Sequence, residues 1–130
     1  MSLADAVAGL FAALDDPRRF LVHDIDFHRT VAAASGNPII AAVIEMVSTL
    51  FYEQRRETAE HATDRALRDA AGLHREIYLA IRGRDAGAAR RAMNDHLLRA
   101  RAYQVQEREQ RASRVAASAS RSARARRHAR

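Results

Sequence analysis

The sequence predicts an all-α fold: an antiparallel bundle of about five helices, followed by a disordered basic C-terminal tail. Alanine is abundant, only two prolines occur, and aromatic residues make up 5% of the chain. Apolar residues recur at helical spacing, and no stretch alternates as a half-buried strand would. With 130 residues, the chain has the length of a single domain.

The first two helices have recognisable start and stop signals. Ser2 with Asp5 three residues later matches a capping box, which predicts a helix start at the N-terminus. Pro17 suits the first position of a second helix, which we expect to run to about Ser35 before Gly36 ends it. The acidic pair before Pro17 separates the two helices.

Three more helices follow with short connections, so consecutive helices are expected to be antiparallel neighbours. The third opens at Asn37-Pro38, the fourth spans roughly residues 64–83, and Asp85 caps the fifth. The stripe of the third helix that we predict to face the core comprises Ile40, Val43, Ile44, Val47, Leu50 and Phe51.

The positive charge is concentrated at the C-terminus. Residues 111–130 contain seven arginines and no acid, whereas residues 1–110 hold fifteen arginines against sixteen acids. A tract of Ser, Ala and Arg buries too little surface to order itself, so we predict a bundle over 1–110 and a disordered tail over 111–130. The tail is either a solvated end or a weak, salt-sensitive contact for nucleic acid.

The composition of the chain also limits the cellular compartments in which it is expected. The chain has no cysteine, which excludes disulfides and thiolate metal sites. The N-terminal segment lacks a basic leader, and the longest apolar run, residues 39–44, is too short to span a membrane. We therefore expect a cytoplasmic protein.

The segment HDIDFH, residues 23–28, places polar groups where the core is expected. Asp24 and His28 are four residues apart and lie on the same helical face as Phe27 and Val31. They are therefore predicted to point inward, where polar groups need a partner.

The fourth and fifth helices repeat this pattern. His74 lies on the stripe that contains Ile77, and His96 lies on the stripe that contains Met93. A buried carboxylate costs several kcal/mol unless it is paired or binds a metal. The alternatives are ordinary hydrogen-bonded core histidines, a buried Asp24–His pair, or one divalent cation shared by all four side chains.

A shared metal is chemically reasonable. Positions i and i+4 of a helix have Cβ atoms about 5–6 Å apart, which allows two ligands to reach one ion. Three nitrogens and one oxygen suit zinc, which we expect first, and also nickel, iron, manganese or cobalt. The other histidines are predicted at the surface: His23 off the stripe, His61 near a helix end, and His128 in the tail.

Two sequence blocks resemble a known family. DIDFHRTVAAASGNPII resembles the D-x-x-F-H…A-x-G-N-P-x-[LI] signature of the FCD domain, the effector-binding domain of FadR-type GntR transcription regulators. HREIYLAIRGRDAGAARRAMNDHL resembles the family's second block, and the likeness covers roughly residues 3–104. The resemblance implies a helical bundle whose central cavity binds a small carboxylate metabolite. It also implies a metal held by one Asp and three His, which correspond to Asp24, His28, His74 and His96.

The resemblance therefore implies an effector-sensing regulatory domain that is not an enzyme and has no catalytic residues. Family members are typically homodimers. This sequence shows neither the family's winged helix-turn-helix nor its first helix, so we expect a fragment, an isolated domain or a truncated gene product. DNA binding is then expected only through that absent domain, or weakly through the tail. The competing hypotheses are a metal-dependent enzyme and a non-specific nucleic-acid binder acting through the arginines.

Overall fold

The computed structural model of the protein describes residues 1–128 and contains five α-helices, with no strand among those residues. The helices are α1 (Leu3–Ala12), α2 (Pro17–Ala34), α3 (Pro38–Arg55), α4 (Asp64–Arg82) and α5 (Ala86–His128). A short 3-10 helix, Ala59–His61, lies between α3 and α4. The predicted all-α class and helix order are confirmed. None of the helices described is both long and apolar enough to cross a membrane.

Side-chain caps start the helices where the sequence predicted. The amide of Asp5 donates to Ser2 Oγ at 3.2 Å, and the Ser2 amide donates to Asp5 Oδ2 at 2.9 Å, which completes the capping box. Asp16 caps α2 and Asn37 caps α3, each with proline at the start of the helix. Asp85 Oδ1 accepts from the Ala88 amide at 2.8 Å at the start of α5.

The core lies between α1, α2 and α4. Apolar residues from these three helices that are at most 1% exposed are Ala6, Leu10, Phe27, Ala71 and Ile77. They form two neighbouring apolar clusters, which Phe20 and Leu67 extend towards the start of α2 and α4. Phe27 of α2 and Ile77 of α4 are thus buried on the faces that the sequence predicted to point inward, and α1, α2 and α4 provide a rigid frame for the polar side chains between them.

The predicted core stripe of α3 is largely wrong. Ile40, Val43, Val47 and Leu50 are between 46% and 59% exposed. Helix α3 packs on α2 with the flank that carries Ser48, which is buried and lies one turn from Ile44 and from Phe51. Ile44 and Phe51 are half-buried, and Phe51 contacts the cluster of Leu21, Ile25 and Ala59. A helical stripe shows only that a helix is amphipathic, and no described residue covers this one.

The chain divides into two compact units, Met1–His96 and a second unit that begins at Leu97. In the second unit the structure differs from the predicted disordered tail, because residues 111–128 are helical. Every side chain from 111 to 127 is exposed, so the prediction that this segment buries nothing agrees with the structure. Alanine and arginine are strong helix formers, and no glycine or proline follows Gly87, which explains a helix without burial. Residues 129–130 of the predicted tail lie outside the described residues.

Candidate metal centre

Three helices bring four predicted polar residues to one place in the core. Helix α2 contributes Asp24 and His28, α4 contributes His74, and α5 contributes His96. One ligand atom from each side chain lies within 4.8 Å of all the others. His74 is 1% exposed and His96 is 6% exposed, whereas Asp24 and His28 are half-buried. The helical phases read from the sequence thus place all four side chains correctly.

Phe27 holds the histidine rings in position. This residue precedes His28 on α2 and is completely buried. Its ring meets the His74 ring edge to face, with centroids 4.7 Å apart, and the His28 ring in the same manner at 5.6 Å. The helical stripe predicts only a core position for Phe27, and its place beside His28 in the sequence is the signal for this further role.

The polar atoms are in close mutual contact. Asp24 Oδ1 lies 2.6 Å from His74 Nε2 and 3.5 Å from His28 Nε2. The two Nε2 atoms of His28 and His96 are 3.1 Å apart, and the rings of His74 and His96 have centroids 4.2 Å apart. His28 and His74 therefore turn Nε2 towards the Asp24 carboxylate, and His96 turns Nε2 towards that of His28.

A backbone contact determines which nitrogen of His74 carries a proton. His74 Nδ1 lies 2.7 Å from the carbonyl oxygen of Ala70, one turn earlier on α4. A carbonyl oxygen only accepts, so Nδ1–H donates, and in the neutral ring Nε2 presents a lone pair. Histidines that bind metals commonly have their second nitrogen held in this way.

That lone pair points at a negative oxygen. His74 Nε2 and Asp24 Oδ1 are both buried, and neither makes a hydrogen bond of acceptable geometry despite their 2.6 Å separation. Two electron-rich atoms this close repel each other unless positive charge, from a proton or a metal ion, lies beside them. Three imidazole nitrogens and a carboxylate oxygen are the donor set of a divalent metal, so the residues fit such an ion.

The protonation states also suit a cation. Burial alone raises the pKa of Asp24, but the adjacent imidazoles of His28 and His74, in their protonated forms, favour the carboxylate. This effect outweighs burial and holds the pKa of Asp24 well below its ordinary value of 3.8 in the metal-free chain. Burial, aided by repulsion from His74 and His28, lowers the pKa of His96 from 6.5 to about 4. Near neutral pH the cluster therefore contains a carboxylate anion and a neutral His96, the forms that bind metals.

The remaining histidines lie outside this cluster. His61 is exposed, as predicted. His23 was predicted at the surface but is half-buried, because its ring packs against α1 at Gly9. A Cβ atom at Gly9 would lie 2.3 Å from His23 Nδ1, so the missing side chain in α1 makes room for the ring. The side chain of His128 lies outside the described residues.

Comparison with known proteins gives one family and several relatives. The family model of the FCD domain matches residues 2–99. The HTH-type transcriptional repressor NanR of Klebsiella aerogenes is 34% identical over 85 residues, which are 65% of this chain and 33% of that protein. The repressor of the same name from Citrobacter rodentium is 36% identical over 100 residues, covering 73% of this chain and 36% of that protein.

The same repressor from Escherichia coli strain K12 is 32% identical over 95 residues, again covering 73% of this chain and 36% of that protein. The chain thus spans about a third of the length of the curated relatives it matches. No solved structure matches significantly. These relatives are transcriptional repressors and not enzymes, in agreement with the prediction that this chain is not an enzyme.

Proposed function

Because the chain belongs to the FCD domain family, we propose that it is the effector-sensing domain of a cytoplasmic GntR-type transcription regulator and binds a divalent metal and a small carboxylate metabolite. The observation that carries this proposal is the convergence of Asp24, His28, His74 and His96 within 4.8 Å. A purely structural cluster would be expected to satisfy its own hydrogen bonds, whereas here two buried polar atoms remain without one.

Asp24, His28, His74 and His96 would hold the ion. Zinc is the first candidate because nitrogen and oxygen ligands in this number are typical of its sites, and nickel, iron and manganese accept the same donors. When bound, the ion supplies a Lewis-acidic centre that attracts anionic oxygen ligands. The chain's own contribution is to keep Asp24 ionised and His96 neutral, and to fix the His74 ring through Phe27 and the Ala70 carbonyl.

A small carboxylate is the effector class that this chemistry favours. Four protein ligands leave positions open on a five- or six-coordinate ion, and a carboxylate oxygen is a suitable additional ligand. The side chains of Asp24 and His28 are 18% and 24% exposed, so the cluster is accessible from their side. An effector bound there would contact groups from α2, α4 and α5 at once, and could favour one packing of these helices over another.

The exposed stripe of α3 supports self-association. Ile40, Val43, Val47 and Leu50 form an apolar surface that soluble monomers rarely leave uncovered. A homodimer in which two such surfaces meet, with or without exchanged helices, would bury them. A separate partner that provides one apolar helix is the alternative.

The effector proposal can be tested by calorimetric titration of a panel of small carboxylic acids into the zinc-loaded chain. At least one acid should bind the loaded protein and lose its affinity when the metal is removed by chelation. The primary amides of the same acids are matched controls, because they keep the shape and remove the negative charge. Equal binding with and without metal would contradict the proposal, as would binding of the amides as tight as that of the acids.

A further inference from the structure

The C-terminal part of α5 forms a basic surface that the proposed function does not use. We define the arginine segment as residues 111–127, which are helical and exposed throughout. It contains no acidic residue, and its arginines are Arg111, Arg114, Arg121, Arg124, Arg126 and Arg127. Residues 1–110 are close to neutral, so the excess positive charge of this chain is local to its C-terminal segment.

Helical geometry gathers part of this charge on one face. Arg111, Arg114 and Arg121 are separated by three and seven residues, which places them within a sector of about 80° around the helix axis. They span about 15 Å along that axis at 1.5 Å per residue. The residues between them are alanine, serine and the single Val115, so no bulky side chain prevents a partner from approaching the arginines.

We propose that the arginine segment binds the phosphate backbone of duplex DNA without sequence preference. Arginine is well suited to phosphate because its guanidinium donates two parallel hydrogen bonds. The major groove of B-DNA admits an α-helix, and phosphate contacts carry no sequence information by themselves. DNA binding by this segment requires neither the metal nor the effector.

The composition of the segment argues against other polyanions. Helices that lie on membranes need an apolar face, and Val115 is the one large apolar residue among 111–127. Single-stranded RNA is bound largely by stacking of bases on aromatic rings, and the segment has no aromatic residue. Duplex DNA needs only the charge and the helix.

Fluorescence anisotropy of a labelled duplex with the full chain, between about 50 and 200 mM salt, tests the proposal. Binding should be weak and equal for two unrelated sequences. Six phosphate contacts would make the logarithm of the binding constant fall with the logarithm of salt concentration with a slope of about −5. The triple variant R111Q/R114Q/R121Q should lower the magnitude of this slope by about 3.

A matched control separates the local surface from overall charge. R65Q/R82Q/R90Q removes the same charge from exposed positions of α4 and α5 in the first unit and should leave the slope unchanged. R111K/R114K/R121K keeps the charge and should retain most of the slope. Unchanged far-UV circular dichroism in all variants shows that folding is not the cause.

Four outcomes would overturn the proposal. These are no binding at the lowest salt concentration, an equal loss in the control variant, an unchanged slope in R111Q/R114Q/R121Q, and tighter binding of single-stranded RNA or anionic vesicles than of duplex DNA. Failure of this test would leave the metal and effector proposals standing, because the residues that they rest on lie outside the arginine segment.

Discussion

The polar cluster and the exposed stripe of α3 differ in how their side chains are solvated: polar groups are buried in the first, and apolar groups are exposed to water in the second. The cluster places Asp24 and three imidazoles in an apolar interior, where an unpaired charge is unfavourable. The exposed stripe of α3 places Val43, Val47 and Leu50 in water, where apolar surface is unfavourable. We propose that each region is stabilised by a partner of different chemistry: a cation for the cluster and an apolar surface for α3. Polar groups without hydrogen bonds and uncovered apolar surface thus both mark places where a bound partner would stabilise the fold.

The largest expected effect is that of His74→Ala. It removes a proposed ligand that is 1% exposed and leaves the buried Oδ1 of Asp24 beside a cavity, which should lower the free energy of unfolding by about 3–5 kcal/mol. Chemical denaturation and metal content should both change. His61→Ala is the matched control, because His61 is exposed and outside the cluster. Retention of metal by His74→Ala, or its loss in the control, would contradict the assignment.

Removal of the metal should give the second-largest loss of stability. An ion present at about a thousand times its dissociation constant adds about 4 kcal/mol to stability. Chelation should therefore lower the melting temperature, and zinc or nickel should restore it. His23→Gln should behave as the parent protein does in this cycle, because His23 packs on Gly9 and not on the cluster. A melting curve that is unchanged after verified metal removal is incompatible with the account.

Acidic pH should lower the free energy of unfolding of the metal-free protein. His96 has a pKa of about 4 in the folded chain and near 6.5 when unfolded, so the unfolded state binds more protons between these values. The corresponding stability is complete above pH 6.5 and is lost as pH falls to 4, at most about 3 kcal/mol. The lowered pKa of Asp24 adds a further loss only below about pH 3.8. Chemical denaturation at several pH values should show that the free energy of unfolding depends less on pH in His96→Gln than in the parent chain. An identical pH dependence would contradict the lowered pKa of His96.

The smallest effect concerns the other region. The double variant V47E/L50E changes side chains that are 48% and 59% exposed, so the single chain should remain folded. Self-association should weaken by tenfold or more, because each apolar side chain contributes about 1.5–3 kcal/mol when fully buried. Val115→Glu alters an exposed apolar residue of the second unit and serves as the control. Sedimentation at several concentrations decides the matter, and a compact monomer of the parent chain throughout would reject the dimer.

The sequence was sufficient for the cluster because a helical phase is a local property. Asp24, His28, His74 and His96 each lie on an apolar stripe, so three independent phases converged on one interior. Phase alone does not identify the neighbour that a side chain meets. For that reason His23, which occupies the space left by Gly9 on another helix, was misplaced at the surface.

The fact that a sequence pattern does not identify its neighbours also explains why the predictions for α3 and for the arginine segment differ from the structure. Periodicity shows which face of α3 is apolar but not what covers that face, so the sequence predicts a core position for a stripe that is exposed. In the arginine segment, the absence of apolar residues predicted the absence of burial. It did not exclude a helix, because alanine and arginine favour helical backbone even without tertiary contacts.

Metal content of the purified full chain is the most direct test of the central proposal, that Asp24, His28, His74 and His96 bind one divalent ion. Elemental analysis after purification without chelators, followed by equilibrium dialysis against zinc, should give one tightly held ion per chain. The same analysis should give none for the double variant H74A/H96A and one for H61A. A parent chain that holds no ion after dialysis, or a double variant that holds as much as the parent, would contradict the account.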